Sequence, residues 1–521
     1  MSTMHPFTLP ELVEQWLPDR GADEALVQGE ASLSYAELWG RSGALAYGLD
    51  QLGLRKGDRV VVHMPKSTFE AVATYGVSRL GGIVVNVNSN VTTRQLRHVL
   101  ENSGARVALV HSRAAAGLAA EGIPSSLECV VVIDGDAPEE QAFMPLDAVP
   151  ADGNAPSVRL IDRDGCALIY TSGSTGLPKG VLLTHETVVQ SARSAATHLR
   201  NCAEDRALGV LPLSFDFGLS QLTTMALVGG TLVMPRASLP AELLRTVGEF
   251  EVNALAMVPT MWIPFVRLLQ KQEVRLPQVR YVANSGGPLP TDVQRAWPTV
   301  FPEARHYLMY GMTEGFRSSY LPPEDFQRKL GSIGVPLPNV ELFVVHPERG
   351  LCGPKEHGEL LHRGNLVSEG YYRNPEATRE KIKPCPHLSH LIGDEPVLFS
   401  GDTVYRDDDG YLWFVARTTT FIKTSDFRVS PTEVEDVVFS SGLVTDVVAF
   451  GRPHETLGQV VEVALSPSEA ELDMEALEEH CRRTMPRYMI PAQIHVWAGE
   501  MPRTGNAKVD RPAVISTYLD A

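Results

Sequence analysis

Apolar positions along the first 110 residues switch between two periods. In SYAELWGRSGALAYGLDQLG (34–53), Leu38, Ala44, Leu45 and Leu49 share one face of a 3.6-residue helix. DRVVVHM (58–64) and GIVVNV (82–87) are short apolar runs that predict buried strands. RQLRHVLENSGARVALV (94–110) predicts a helix, a glycine turn and a strand. Strands alternating with helices predict parallel sheets with crossover helices. The pattern recurs in GCALIYTSGST, GGTLVMP, VNALAMVPT and RYVANSGG. The texture changes towards residue 400, where GELLHRGNLVSEGYY (358–372) and GYLWFVAR (410–417) predict short strands and turns. After Arg417, RVSPTEVEDVVFSSG predicts a capped helix, VTDVVAFGRP and VVEVALSP predict strands, and MEALEEHCRRTM predicts a second helix. The expected architecture is α/β: a large N-terminal domain (1–416) of βαβ-layered sheets with a small β-rich subdomain, then a small α+β domain (417–521). There is no internal repeat and no low-complexity tract.

Composition narrows the functional classes. The chain has 521 residues, 44% apolar and 21% charged, which is ordinary for a soluble globular protein with a large core. Its formal charge is −17. A nucleic-acid binder needs a basic surface, so nucleic acid is not an expected partner. The six cysteines form no CxxC pair, which points away from a zinc site or a disulfide framework. The opening MSTMHPFTLPELVEQW lacks a signal-peptide core. The most apolar segment, 255–270, is broken by Pro259 and Pro264 and is too short to span a bilayer. The expectation is a cytoplasmic protein without a membrane span.

The chemistry begins at YTSGSTGLPKG. ALIY (167–170) is an apolar strand, and Thr171, Ser172, Gly173, Ser174, Thr175, Gly176 and Lys179 follow it. Hydroxyls, backbone N–H groups turned by glycine and one point charge suit a polyphosphate. The pattern GxxxxGK[ST] is absent, because Gly180 stands where its Ser or Thr would hold Mg²⁺. The plainer reading is a flexible Ser/Gly turn. The strand before the loop and the lysine after it shift the reading towards phosphate.

This string resembles the phosphate-loop signature of the AMP-forming acyl-adenylate superfamily, which includes acyl- and aryl-CoA ligases, peptide-synthetase adenylation domains and luciferases. Further motifs of that family follow in order, so the resemblance covers essentially the whole chain. LPLSFDFGLSQL (211–222) is similar to its acid-side segment, which implies Phe215, Asp216, Phe217 and Ser220 beside the substrate. In many CoA ligases a histidine stands at Phe215, and in peptide-synthetase domains an Asp at Asp216 pairs with a substrate ammonium. A buried carboxylate needs a partner. Two compete for Asp216: a substrate ammonium, or Arg317 within the protein. ANSGGPLP (283–290) resembles the segment lining adenine and the acyl pocket, with Ser285, Gly286 and Gly287 as nucleotide contacts. YGMTEG (310–315) resembles the next core motif and implies a nucleotide site at Tyr310, Gly311, Met312 and Thr313. There Tyr310 would stack on adenine, Thr313 would bond the α-phosphate and Glu314 would ligate Mg²⁺. FSGDTVYRDDDGYLWFVAR (399–417) resembles the ribose segment, with Asp402 on the ribose hydroxyls and Arg417 on ribose and phosphate; Lys423 extends the set. PRTGNAKVDR (502–511) resembles the C-terminal motif, in which Lys508 is the mobile lysine of the first step.

The resemblance implies two steps. A carboxylate attacks the α-phosphate of Mg·ATP and releases pyrophosphate; an acceptor then takes the acyl group and releases AMP. The catalytic set is Lys508, Thr313, Glu314 and Lys179, and the small domain is expected to rotate between steps. Phe217, Ser220, Met261 and Met309 imply a modest, partly polar acid pocket, with Arg317 nearby. The acid is thus an amino acid or another small polar or aryl acid. The acceptor is a thiol, of CoA or of a carrier protein's phosphopantetheine, or alternatively an amine.

Two departures bear on the second step. Relatives read x-Asp-Asp after Arg417, whereas residues 418–420 are TTT, placing Thr419 at the hinge. Relatives carry glycine at Asp426, along the phosphopantetheine tunnel, so Asp426 counts against routine CoA thioester formation. A catalytically silent nucleotide-binding homologue is the reading from another class; intact Lys179, Glu314, Asp402 and Lys508 count against it.

Overall fold

In a computed structural model, the chain is described over residues 5–171, 178–417, 422–424, 427–454, 457–504 and 508–519, with backbone only at 417, 423, 427 and 428. The stretch 34–53 folds as the helix Tyr35–Gln51. Ser34 and Glu37 close a capping box at its start, and Leu38, Leu45 and Leu49 are buried. Ala44 is only half-buried, because Ala46 takes the inner position instead. The helix Thr93–Ser103 ends on Gly104 at φ +61°, the left-handed cap that glycine reaches without strain.

Among the described residues the strands form four sheets. One has seven strands, ordered Phe143–Pro145, Cys129–Val132, Val107–Val110, Arg59–Met64, Ile83–Asn88, Gly165–Thr171 and Lys179–Thr184. All pairs are parallel except the last, an antiparallel hairpin in which Thr171 faces Lys179. A nine-stranded sheet has a parallel centre that includes Ala254–Met257, Tyr281–Asn284 and Arg305–Tyr310. Central strands such as Val107–Val110 (VALV), Cys129–Val132 (CVVV) and Ala254–Met257 (ALAM) are nearly continuous apolar runs, as burial on two faces requires. Helices cover them, and one large core runs through this part of the molecule.

A six-stranded antiparallel sheet follows, carrying Val340–His346, Gly358–Gly364, Pro396–Arg406 and Leu412–Arg417. The next strand, Ile422–Thr424, belongs to a separate five-stranded sheet with Val444–His454 and Gly458–Pro467. This last unit packs the helices Pro431–Ser440 and Met474–Thr484 and adds Arg511–Leu519, a third helix beyond the two expected. The expected cap at Pro431–Ser440 takes another form. Ser430 makes no side-chain cap; its hydroxyl donates to the Val415 carbonyl and ties this helix to the strand before it. The large α/β portion with mixed sheets followed by a smaller α+β portion is the predicted fold class. No helix among the described residues is long and apolar enough to cross a membrane.

Candidate active site

Three parallel strands deliver the centre of the site from their carboxyl ends, where ligands of open α/β sheets gather. The first is Ala254–Met257. The second, Tyr281–Asn284, ends in Ser285, Gly286 and Gly287. The Asn284 amide donates to the Gly287 carbonyl at 3.0 Å, and Trp262 Nε1 donates to the Ala283 carbonyl at 3.1 Å, fixing the turn from below. Gly286 has φ +83°. A Cβ there would lie 3.3 Å from Lys508 Cε and 3.4 Å from its Nζ, so the tip of Lys508 rests against this glycine.

The third strand, Arg305–Tyr310, runs into Gly311 and Met312 and then the single 3₁₀ turn Thr313–Gly315. Gly311 packs tightly against the chain that returns, since a Cβ there would meet Arg317 Cα at 3.1 Å. Tyr310 Oη donates to Asp402 Oδ2 at 2.5 Å. Asp402 is 3% exposed and lies cross-strand from Arg417 in the antiparallel sheet. The sheets therefore bring Tyr310, Asp402 and the Arg417 backbone together.

The hairpin brings Lys179 to the same place. Its Nζ lies 5.5 Å from the ring centroid of Tyr371, a cation–π distance. Tyr371 Oη donates to Glu314 Oε1 at 2.6 Å. Tyr371 is held by a bridge to Val181, by Tyr372 N donating to the Gly180 carbonyl, and by Thr378 Oγ1 accepting from Tyr371 N at 2.9 Å. Tyr371 is absent from the set predicted from sequence. Its signal lies in SEGYYRNPEAT: an aromatic pair between Gly370, at φ +92°, and an Asn-Pro helix start.

On the other flank, the helix Asp216–Val228 opens on Asp216, which is 7% exposed. Its carboxylate accepts from Phe217 N at 2.8 Å. Burial pushes the carboxyl up. Lys508, the Phe217 amide, Arg317 and Thr313 oppose that shift, Lys508 most strongly. Lys508 Nζ lies 5.2 Å from the Phe215 ring centroid. Ser220, one turn along the helix from Asp216, accepts from Arg317 Nη2 at 2.9 Å. The Arg317 guanidinium lies 5.1 Å over the Phe217 ring and donates to Met309 Sδ at 3.5 Å. Burial lowers its pKa to about 10, against the pull of Asp216 and then Tyr281. Behind Met309 sits His198, whose Nε2 lies 3.4 Å from Met309 Sδ and whose ring is 4.8 Å from Tyr320. Met261 is buried.

Most of the predicted residues therefore converge: Thr171, Lys179, Ser285 to Gly287, Tyr310 to Glu314 and Asp402 on one flank, with Phe215 to Phe217, Ser220, Met309 and Arg317 on the other, and Lys508 between. Ser172, Gly173, Ser174, Thr175 and Gly176 lie outside the described residues, as do Thr419, Asp426 and the side chains of Arg417 and Lys423. Among the described residues no cluster of three or more His, Cys, Asp or Glu is arranged as a metal site.

Comparison with known proteins assigns the class. The family model described as AMP-binding enzyme matches residues 13–372, and that of the AMP-binding enzyme C-terminal domain matches 433–508. The chain belongs to the AMP-binding enzyme family. It is an enzyme of the adenylate-forming ligase type. It is 29% identical to a long-chain-fatty-acid–CoA ligase of Salmonella typhimurium, over 97% of this chain and 93% of that one. Its fold matches the anthranilate CoA ligase AuaEII in complex with anthranoyl-AMP at a TM-score of 0.87, with 24% identity over 98% and 97% of the two chains. It also matches the o-succinylbenzoate CoA synthetase MenE of Bacillus subtilis with ATP and magnesium ion, at a TM-score of 0.82 and 25% identity, over 99% of both chains.

Proposed function

We propose that this enzyme activates a short polar or aryl carboxylic acid with Mg·ATP and passes the acyl group to the thiol of CoA. The observation that carries the reading is the seat of Lys508. A lysine from the last segment of the chain is inserted between Gly286 and Phe215, the residue before Asp216. In the first step a carboxylate oxygen bonds to the α-phosphorus as the bond to the β-phosphate bridge breaks, and pyrophosphate leaves. Lys508 and the Thr313 hydroxyl neutralise charge on the α-phosphate; Thr171, the hydroxyl-rich loop and Lys179 hold the leaving phosphates. Tyr310 faces the base, Asp402 takes the ribose hydroxyls, and Arg417 and Lys423 complete the nucleotide side. Glu314 is the protein ligand for magnesium. One carboxylate plus substrate phosphate oxygens is a normal donor set for that ion. In the second step the acceptor thiolate bonds to the acyl carbon and AMP leaves.

The curated relative and both structural neighbours are named as CoA ligases, which supports CoA over a carrier-protein thiol or an amine. The two units are taken as 1–416 and 417–521, the second rotating to withdraw Lys508 before transfer. The expected cytoplasmic location accords with this reading, since ATP and CoA are both available there. A short acid is favoured because Arg317, Met309, His198 and Tyr320 form one chain of contacts behind the acid flank. The test is pyrophosphate release with propionate, malonate, alanine, benzoate, anthranilate and palmitate, with and without CoA. Release with short or aryl acids, and thioester only with CoA, is expected. Release with none of them overturns the reading in favour of a silent homologue. Release without thioester moves the acceptor to an amine or a carrier protein.

A further inference from the structure

The helix Pro431–Ser440 of the small portion has two working faces. Glu435 serves its own unit: its carboxylate accepts from Ala449 N at 2.7 Å and pairs with Arg511 at 2.6 Å. Thr432, Asp436 and Phe439, spaced four and three residues apart, share another face, and each meets the large portion. The Thr432 and Ser430 hydroxyls donate to the Val415 carbonyl, in the strand Leu412–Arg417, at 3.3 and 2.5 Å. Thr291 Oγ1, at the start of the helix Thr291–Val300, donates to Asp436 Oδ2 at 3.3 Å. Arg267, half-buried on the helix Pro259–Lys271, lies 5.2 Å over the Phe439 ring, and its Nη2 donates to the Val444 carbonyl at 3.1 Å. Phe439 and Val444 belong to one buried apolar cluster with Phe265, Val266 and Leu269 of that helix. Beside Arg267 the two portions stand apart across a cleft of about 960 Å³, lined by Ile263 and Lys271 on one side and by Thr445 and Trp497 on the other. Arg267 thus closes the junction at the end of the helix opposite Val415.

We infer that Arg267 is a positioning residue for adenylation: by holding the Phe439 ring and the Val444 carbonyl it latches the small portion in the orientation that seats Lys508, and it lets go for acyl transfer. The inference rests on the two-step reading above. Arg267 lies eight residues, or about 12 Å of helix, beyond Pro259, which packs at Gly287. It therefore acts through the placement of Lys508 and not on the reacting atoms. A contact made in only one of two orientations biases the equilibrium between them by its own strength and no more. One hydrogen bond and one cation–π contact suit that task. Together they are worth about tenfold, enough to favour docking without making it irreversible.

The test uses the full-length protein and the acid of the panel above that gives the fastest pyrophosphate exchange. Two rates are measured: exchange for the first step, and thioester formation from CoA and added acyl-adenylate for the second. Where the panel shows another acceptor, that acceptor replaces CoA. With a docked and an undocked orientation in equilibrium, the ratio of the first rate to the second follows the docking constant, whatever its starting value. Arg267→Ala is expected to lower that ratio about tenfold, with the second rate unchanged or raised. Arg267→Lys keeps a cation over Phe439 and a donor for Val444, and is expected to lower it by about threefold. In Ser440→Ala the lost hydroxyl bonds Val437 and His480 inside the small portion, and the ratio is expected to stay unchanged. Loss of folded protein lowers both rates together, so the ratio stays readable in a destabilised variant. An unchanged ratio in Arg267→Ala overturns the assignment, as does an equal fall in Ser440→Ala. Absence of exchange in the unmodified protein overturns the adenylation reading itself, an outcome distinct from both.

Discussion

The two flanks of the cleft are built by different means. On the nucleotide flank, strand register does the placing: Thr171 faces Lys179 across a hairpin, Asp402 faces Arg417 across another, and Tyr371 is bridged to Val181. Side chains there make few and short links, such as Tyr310 to Asp402 and Tyr371 to Glu314. On the acid flank, buried charge does the placing. Asp216 and Arg317 are 7% and 8% exposed; Arg317 is held by Ser220, Met309 and the Phe217 ring, and Asp216 sits at a helix start on the Phe217 amide. A register-built flank tolerates exchange of side chains that keep the strands paired. A charge-built flank does not, because removing one partner leaves the other buried and unmet. Lys508 touches the boundary between them.

The largest expected effect is therefore at that boundary. Lys508→Ala removes the cation shared by both flanks, and adenylation is expected to fall at least ~1,000-fold, at the upper end of losses seen when a preorganised charge-stabilising group is deleted. Pyrophosphate exchange measures it. Exchange within tenfold of the unmodified protein would show that the two flanks work without this bridge.

Next in size is Tyr371→Phe. The ring remains beneath Lys179, but Glu314 loses the hydroxyl that fixes one of its oxygens. Outer-shell partners of metal ligands typically contribute about 10- to 100-fold, so the magnesium concentration for half-maximal exchange is expected to rise by about tenfold, with ATP affinity in excess magnesium nearly unchanged. An unaltered magnesium dependence would mean that strand register alone positions Glu314.

These two cases show what was legible in the sequence. The alternating strands and helices, the loop at 171–179 and the motif 310–315 rest on local patterns, and they gave both the fold class and the nucleotide flank. Tyr371 escaped because it acts through register with Val181, a pairing between segments 190 residues apart that no local pattern carries. The seat of Lys508 between Gly286 and Phe215 escaped for the same reason, since these segments meet only when the last part of the chain folds back. The sequence left two partners open for Asp216. Arg317 lies near enough to favour its charge, and so does Lys508, which was not among the candidates. The third helix, Arg511–Leu519, was missed because its apolar side is short and only Val514 is fully buried.

Arg317→Met tests the charge-built flank in the opposite sense. Met fills similar space without charge, so Ser220 and Asp216 lose a cation and the far wall becomes apolar. Selectivity between benzoate and malonate, as the ratio of kcat/KM values, is expected to move towards benzoate by about tenfold or more, because a polar site that loses its partner discriminates strongly. An unchanged ratio would place Arg317 outside the acid pocket.

The smallest effect is expected at Tyr310→Phe, and it sharpens the contrast most. The change keeps the aromatic face that the base would use and deletes only the hydroxyl that donates to Asp402. In a charge-built site, loss of a bond to a buried carboxylate costs about 1.5–3 kcal/mol. Here Asp402 stays in place through its own strand, its backbone N donates to Ser400 Oγ at 3.0 Å, and ribose hydroxyls are expected to take the freed oxygen. The expected outcome is a rise in KM for ATP of about threefold, below the roughly tenfold that 1.4 kcal/mol represents, with kcat unchanged. Steady-state kinetics over a range of ATP concentrations reads both. A fall in kcat would show that side-chain bonding, and not strand register, holds the nucleotide flank together.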